Sequence, residues 1–338
     1  MSEGKFQFPR GNSYGDNRNS KLGTAKWLKA TTIYQSGSIW LGRNEVGDAI
    51  GVNDDRHVIT FAGTRAGKGT SCIIPNLCLW VGSAVIIDPK GENAARTARE
   101  RAKKPGHKVI ALDPYNEAKL PKELLGSYNP LDLIDIESDD AIDLAGMIAD
   151  SMIVTKNEKD MHWDETARDV IAALILHVCD TEDPELRHLG RVRQLLTKGD
   201  PDFRDDLIAE GASDKTNAFD ALWAHMAATE AVNENIADEI VGIAESVIAM
   251  GDNERGSVLS TSRRNTRFLG TPRIRKVLSS TSFDIDELKT SSGGMSLYLC
   301  LPARSFPTKA RFLRLIISLI FFRMEEIGLE EPACGHPV

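Results

Sequence analysis

The chain has 338 residues, 41% of them hydrophobic and 27% charged, which excludes general disorder and leaves room for one large domain or two smaller ones. Its longest apolar stretches, 72–87 and 313–322, are broken by Pro75, Asn76 and Gly82 or fall short of the roughly 20 residues a membrane helix needs, so no span is expected. The net charge of −8 conceals two halves: residues 131–256 hold 10 Lys and Arg against 30 Asp and Glu, a balance of −20 that leaves +12 for the remainder.

Residues 1–35 form a polar N-terminal segment without the apolar core of a secretory signal, so a cytoplasmic protein is expected. The five cysteines (72, 78, 179, 300 and 334) are scattered. They read as reduced, mostly buried thiols, and none pairs with a histidine at zinc-ligand spacing. The seven histidines are dispersed as well, and no metal site built by the protein alone is expected.

Along the chain, "HVITFAG" (57–63), "SAVIID" (83–88) and "KVIALDP" (108–114) read as strands, with a glycine-rich loop and a helix between the first two. The strands are apolar throughout, as in a parallel sheet covered by helices on both faces. From about residue 139 the period changes. Trp163, Ala167, Val170, Ile171, Leu174, Ile175 and Val178 make one apolar helical face, and similar patterns recur in 139–153 and 234–250. An all-helical, acidic lobe inserted into a sheet domain is predicted. The sheet grammar resumes after it with a basic helix over 257–270, a short helix after Pro272, a strand over 295–302 and a helix over 308–328. The expected boundaries are 36–130 for the first part of the sheet domain, 131–256 for the helical insertion and 257–338 for the second part.

The loop "AGTRAGKGTS" spans 62–71 between the first strand and its helix. A tight turn opening into a helix leaves backbone N–H groups unpaired, with the positive end of the helix dipole behind them, which suits a phosphate. Ala62, Gly63, Thr64, Arg65, Ala66, Gly67, Lys68, Gly69 and Thr70 are the candidate nucleotide contacts. Gly63 and Gly67 are expected to supply permissive backbone angles and Lys68 to reach the phosphates. The usual loop ends in Gly-Lys-Ser/Thr, whose hydroxyl binds Mg2+. Here Gly69 follows the lysine and Thr70 is the nearest hydroxyl. A plain glycine-rich strand–helix turn is the competing reading.

In "DPKGEN" (88–93), Asp88 stands at the carboxyl end of a strand, the edge where open parallel sheets bind ligands. It is a candidate catalytic residue, able to hold a metal-bound water or Lys68, and equally able to cap the next helix. Arg263, Arg264, Arg267, Arg273, Arg275 and Lys276 crowd one region, readable as a solvated basic face or as a DNA or subunit contact. Trp163 and Trp223 sit at apolar helical spacing and read as core.

Taken in order, the glycine-rich loop followed by "IPNL", then "VIIDPKGE", "VIALDPY", "YNPLD", "WDETARDVIAALILHV", "STSRRNTRFL", "FDIDEL" and "SLYLCLP" resemble the TraG/VirD4 family of type IV secretion coupling proteins, from about residue 22 to the end. The resemblance implies an α/β fold: a RecA-like P-loop NTPase parallel sheet with an inserted all-α domain. It implies that Gly63, Gly67 and Lys68 bind ATP with Mg2+, and it accommodates "GKG" at the loop's end. Implied partners are relaxase, relaxosome or effector proteins on the acidic helical domain, single-stranded DNA on the basic surface of the sheet domain, secretion-channel components, and further copies in a hexamer. The implied location is the cytoplasmic face of the inner membrane.

Family members carry N-terminal membrane helices and a Walker B strand ending in "DE", neither of which stands in these 338 residues. A sheet incomplete at the C-terminus, a truncated form and poor hydrolysis are therefore expected, with a non-hydrolysing recruitment module as the alternative reading. A double-stranded DNA translocase of the FtsK/HerA sort is the weaker alternative.

Overall fold

The computed structural model describes residues 33–43, 46–53, 57–155, 161–328, 330–336 and 338, together with the backbone of two short strands at 5–6 and 25–26. The chain divides into two compact units, Met1–Val81 and Gly82–Val338.

In the first unit β1 (Lys5–Phe6) pairs antiparallel with β2 (Ala25–Lys26), and β3 (Ile39–Arg43) with β4 (Ala49–Val52). The second hairpin shifts register between Trp40 and Gly42, and Gly42 has φ of 140°, a backbone that side chains rarely adopt. A π-helical turn, Gly69–Ile73, runs directly into α1 (Ile74–Leu79), with Pro75 in its first turn, where a missing N–H costs little.

The strand expected over 57–63 does not form. Those residues take no sheet pairing, and Val58, Ile59 and Phe61 are 50%, 77% and 87% exposed. An apolar β-branched run records fitness for a covered strand, but a strand also needs a neighbouring ladder. Among the described residues, none pairs with it.

The second unit is built on a three-stranded, wholly parallel sheet in the order β5 (Ala84–Ile87), β7, β6 (Lys108–Leu112). β7 (Met295–Leu299) is central and buried at all five residues. Between β5 and β6 the chain crosses over through α2 (Glu92–Arg101). Between β6 and β7 the described residues hold helices and turns and no strand. These helices are α3 (Asp140–Met152), α4 (Met161–Thr181), α5 (Leu189–Lys198), α6 (Pro201–Ala209), α7 (Ala218–Ala227), α8 (Glu234–Ala249), α9 (Asp252–Asn265), α10 (Pro272–Val277) and α11 (Glu287–Thr290). The last helix is α12 (Phe306–Glu326). An α/β architecture with a parallel sheet is thus present.

α4 is the axis of the helical region. The face predicted from its 3.6-residue period is buried, with Ala167, Val170, Ile171, Leu174, Ile175 and Val178 all at or below 1% exposure, but so are Ala173, Leu176 and His177 off that face, so that α4 is enclosed on every side from Val170 to Cys179. Trp223 is buried and Trp163 packs against the core from its edge, as expected of both. Asn217 and Asn233 accept N–H bonds at the starts of α7 and α8, satisfying donors a helix cannot satisfy itself. α12 is tied to the end of α3 through Arg311, whose Nε donates to the Met152 carbonyl (2.7 Å) and whose other nitrogen donates to Asn265 Oδ1 (2.8 Å). The basic helix expected over 257–270 begins earlier, at Asp252, and its last four residues form a separate 3-10 turn, Arg267–Gly270.

Candidate functional site

The glycine-rich loop closes on its own lysine. Lys68 Nζ donates to the carbonyls of Ala62 (2.5 Å) and Gly63 (3.0 Å), so the ammonium spans the start of the loop while its backbone opens the helical turn. Gly67 has φ of 85° and supplies one permissive angle. The second comes from Arg65, at φ of 64°, and not from Gly63, whose φ lies outside the left-handed range. This corrects the expected role of Gly63. Ala62 also avoids positive φ, so alanine costs nothing in the loop's first position. A Cβ at Gly63 or Gly69 would meet nothing within 4 Å, which leaves those backbones open to a ligand. Ala62, Gly63, Thr64, Arg65 and Ala66 are exposed, and the Ala66 N–H closes the turn on the Gly63 carbonyl at 3.3 Å.

Thr70 Oγ1 donates to the Gly67 carbonyl at 3.2 Å. Its hydrogen is committed to the backbone, and the oxygen lone pairs remain for a cation. Ser71, which the sequence reading passed over, presents its Oγ 3.3 Å from the position a Gly67 Cβ would take, against 3.5 Å for Thr70. The adjacent "TS" pair was the available signal. An ammonium, a positive helix end, two open glycine backbones and a hydroxyl with free lone pairs are a donor set that fits a nucleoside triphosphate with Mg2+.

Asn76 of "IPNL" fixes the helix behind the loop. Its Oδ1 accepts the Trp40 N–H (2.7 Å), and its Nδ2 donates to the carbonyls of Trp40 (2.9 Å) and Cys72 (2.8 Å), so one side chain joins β3 to the π-helical turn.

In the second unit, Asp88 and Asp113 occupy equivalent places at the carboxyl ends of β5 and β6, each followed by proline. Asp88 is 2% exposed, and its Oδ2 accepts the Ala94 N–H at 2.8 Å. Asp113 accepts the N–H groups of Glu117 (3.0 Å) and Ala118 (2.8 Å). Burial raises the Asp88 pKa, opposed by N–H bonds from Ala94, Asn93 and Lys90, with Glu92 adding to the rise. Of the two readings the sequence left open for Asp88, the capping contact is therefore the one made. Gly91, at φ of 65°, lets this turn press against the other: a Cβ there would lie 2.5 Å from the Ala118 nitrogen. Cys300 lies on the same edge, its N–H donating to the Leu112 carbonyl (3.0 Å), and burial followed by the charges of Asp113 and Asp88 pushes its thiol pKa up. Lys90 and Glu92 are exposed and face each other at 4.0 Å.

The basic residues divide. Arg263 donates to the Leu196 carbonyl (2.6 Å) and stacks over Phe219, and Arg264 meets buried Asp164 at 3.4 Å, joining "STSRRNTRFL" to "WDETARD". Arg267, Arg273, Arg275 and Lys276 are exposed, with Arg273 over the Tyr115 ring. All five cysteines are free, but against the expectation of mostly buried thiols only Cys179 and Cys300 are buried, while Cys72 and Cys334 are half-buried and Cys78 is exposed. No described helix is long and apolar enough to cross a membrane.

The sequence profile of the family described as "Type IV secretory system Conjugative DNA transfer" matches residues 15–327. A conjugal transfer protein TraG from Escherichia coli is 29% identical over 294 residues, covering 83% of this chain and 41% of that protein. A protein VirD4 from Rhizobium rhizogenes is 23% identical over 287 residues, covering 84% and 37%. The chain thus spans about two fifths of the length of these curated relatives. The solved bacterial conjugative coupling protein TrwB, in an unbound form, matches with a TM-score of 0.50 at 15% identity, over 79% of this chain and 50% of that one. TrwB in complex with the non-hydrolysable GTP analogue GDPNP gives 0.50 at 14% identity, over 80% and 52%. At such identities the structures speak for the fold alone.

Proposed function

The chain belongs to the type IV secretory system conjugative DNA transfer family, and on that premise we propose that it is an ATP-binding coupling protein that recruits DNA–relaxase or effector cargo and takes part in driving its transfer. The observation that carries this reading is the loop itself, with Lys68 closed over the Ala62 and Gly63 carbonyls at the opening of the helical turn. When bound, ATP with Mg2+ supplies the phosphoryl group whose transfer to water powers movement. The chain's own part is to move the Lys68 ammonium from loop carbonyls to phosphate oxygens and to offer the Thr70 oxygen, or that of Ser71, to the cation. Asp88 serves by holding the "DPKGE" turn. A catalytic role for it requires its carboxylate to leave the Ala94 N–H.

In this reading residues 36–130 and 257–338 are two parts of a RecA-like domain, and 131–256 is an inserted all-α domain whose −20 charge docks basic segments of cargo proteins. Single-stranded DNA, which that charge repels, meets the basic surface of the sheet domain, where Arg267, Arg275 and Lys276 are exposed. The protein acts at the cytoplasmic face of the inner membrane, as a hexamer against the secretion channel.

A fluorescent ATP analogue titrated onto the full chain tests the carrying step. Lys68→Ala is expected to weaken binding at least tenfold, about 1.4 kcal/mol, without lowering the thermal midpoint, because this lysine is solvent-accessible. Equal affinity in the variant would remove the loop from the site. Phosphate release measured with single-stranded DNA then separates a motor, in which DNA raises turnover, from a recruitment module that binds ATP without hydrolysing it.

A further inference from the structure

Three residues far apart in the sequence, His177, Asp200 and His225, meet inside the helical region. Each offers one ligand atom, and the three atoms lie within 4.8 Å of one another. His177 is on α4, Asp200 caps α6 and His225 is near the end of α7. We propose that these three side chains form a binding site for a divalent transition metal ion of the Zn2+ class, which staples α4, α6 and α7 together.

The first observation is an orphaned nitrogen. His177 is 1% exposed on the most deeply buried helix, and its Nδ1 has no hydrogen-bond partner. A buried polar atom without a partner costs on the order of 1–3 kcal/mol. A core position filled by leucine or phenylalanine carries no such cost, and a bound ion offsets it by taking the free nitrogen.

The second observation is a pair already aligned for a shared cation. Asp200 Oδ2 and His225 Nδ1 are 2.9 Å apart, while Asp200 Oδ1 accepts the Phe203 N–H at 3.2 Å, which fixes the carboxylate's orientation. Ligands around a tetrahedral zinc with bonds of about 2.0–2.1 Å lie roughly 3.3 Å apart, so this pair is near ligand separation and His177, whose ligand atom lies within 4.8 Å, must close by at most about 1.5 Å. The rings are in contact: His177 stands at 89° to His225 with centroids 4.8 Å apart, and Phe203 stacks nearly parallel to His225 at 4.1 Å. In binding through Nδ1, His225 carries its proton on Nε2.

The backbone is built to keep the acid in place. The Asp200 N–H donates to the Ala218 carbonyl at 2.7 Å, and Gly199, at φ of 71°, allows this contact, since a Cβ there would sit 2.2 Å from the same oxygen. The two imidazoles and one carboxylate, all nitrogen and oxygen donors, suit zinc and its neighbours rather than Mg2+ or Ca2+, which prefer oxygen alone. His225 is partly exposed, giving the ion a path in and room for a water as fourth ligand.

The test uses the full chain, stripped with chelator and kept free of nucleotide, titrated with Co2+ and then Zn2+. One equivalent of Co2+ should give the d–d absorption of a four-coordinate nitrogen–oxygen site without a thiolate charge-transfer band, and Zn2+ should abolish it. Zn2+ should also raise the thermal midpoint. His177→Phe fills the core without a nitrogen and should stay folded by circular dichroism while losing the absorption and the midpoint shift. His225→Gln should weaken Co2+ binding at least tenfold, and exposed His162→Ala should change nothing. Absence of the d–d band in the parent chain, or its survival in a folded His177→Phe variant, overturns the proposal.

Discussion

Residues 57–79 and residues 161–181 are both apolar, and both include a motif of the family, yet they are packed in opposite ways. Along α4, consecutive residues Leu174, Ile175 and Leu176 are all buried, with α3, α8 and α9 packed against the helix. In the loop region Val58, Ile59 and Phe61 face solvent, and Leu77 is the single buried apolar residue of the first unit among those described. The loop's order comes from directed polar bonds, Lys68 to its carbonyls and Asn76 to Trp40, whereas that of α4 comes from burial. A loop ordered by polar bonds need not sit in a packed element, and a packed element need not carry such bonds.

The contrast predicts where stability resides. Ile175→Ala removes a fully buried side chain and should cost about 3 kcal/mol, read as a fall in the urea midpoint at unchanged slope. A cost below about 1 kcal/mol would mean that α4 is not the axis of the second unit.

A polar network in the same unit gives the next effect, and it depends on pH. His107 donates from Nδ1 to the Gly293 carbonyl (2.8 Å), and its Nε2 lies 2.8 Å from Ser296 Oγ and 3.2 Å from an Arg101 nitrogen. Burial, with Arg101 and Lys104 adding charge repulsion, lowers its pKa to about 4. The neutral ring is the one the fold holds, so its contribution is present above pH 6.5 and is lost as pH falls from 6.5 to about 4, up to about 3 kcal/mol in all. Urea midpoints should drop through that window, and His107→Gln should flatten the drop. A midpoint constant from pH 7 to 4 would show that the ring is protonated without penalty.

What the sequence made legible follows the same division. The period of α4 and the apolar character of β5, β6 and β7 carried their own meaning, most fully in central β7, where all five residues are buried. The run over 57–63 carried the same signal and failed, since pairing depends on a partner that a local pattern does not encode. Within the loop, the lysine and the glycines marked the element, but which backbone turns left-handed was not readable, and Arg65 took the angle expected of Gly63. Asp88 was found by its place after a strand. Its cap bond to Ala94 could not be told from a catalytic placement, because a carboxylate suits both. His177, Asp200 and His225 looked dispersed because 22 and 24 residues separate them, and only helix packing brings them together.

Asp88 allows a smaller test of the sheet edge. Asp88→Ala leaves the Ala94 N–H without its acceptor and should cost about 1–2 kcal/mol, while Asp88→Asn keeps an acceptor oxygen and should cost less than half of that. If Asp88→Asn abolishes ATP turnover at unchanged stability, its charge acts in catalysis and the cap is only its resting contact.

The smallest expected effect bears hardest on the comparison. Phe61 is 87% exposed, so Phe61→Ser removes almost no buried surface and should shift stability by less than about 0.5 kcal/mol, within the error of two matched urea curves. The same change should raise solubility, because an exposed run of Val58, Ile59 and Phe61 that pairs with no strand among the described residues is a template for association. A loss of 2 kcal/mol would instead require the ring to be covered in solution, and the loop region would then be packed after all, with Lys68 and Asn76 refining an order that burial had already imposed.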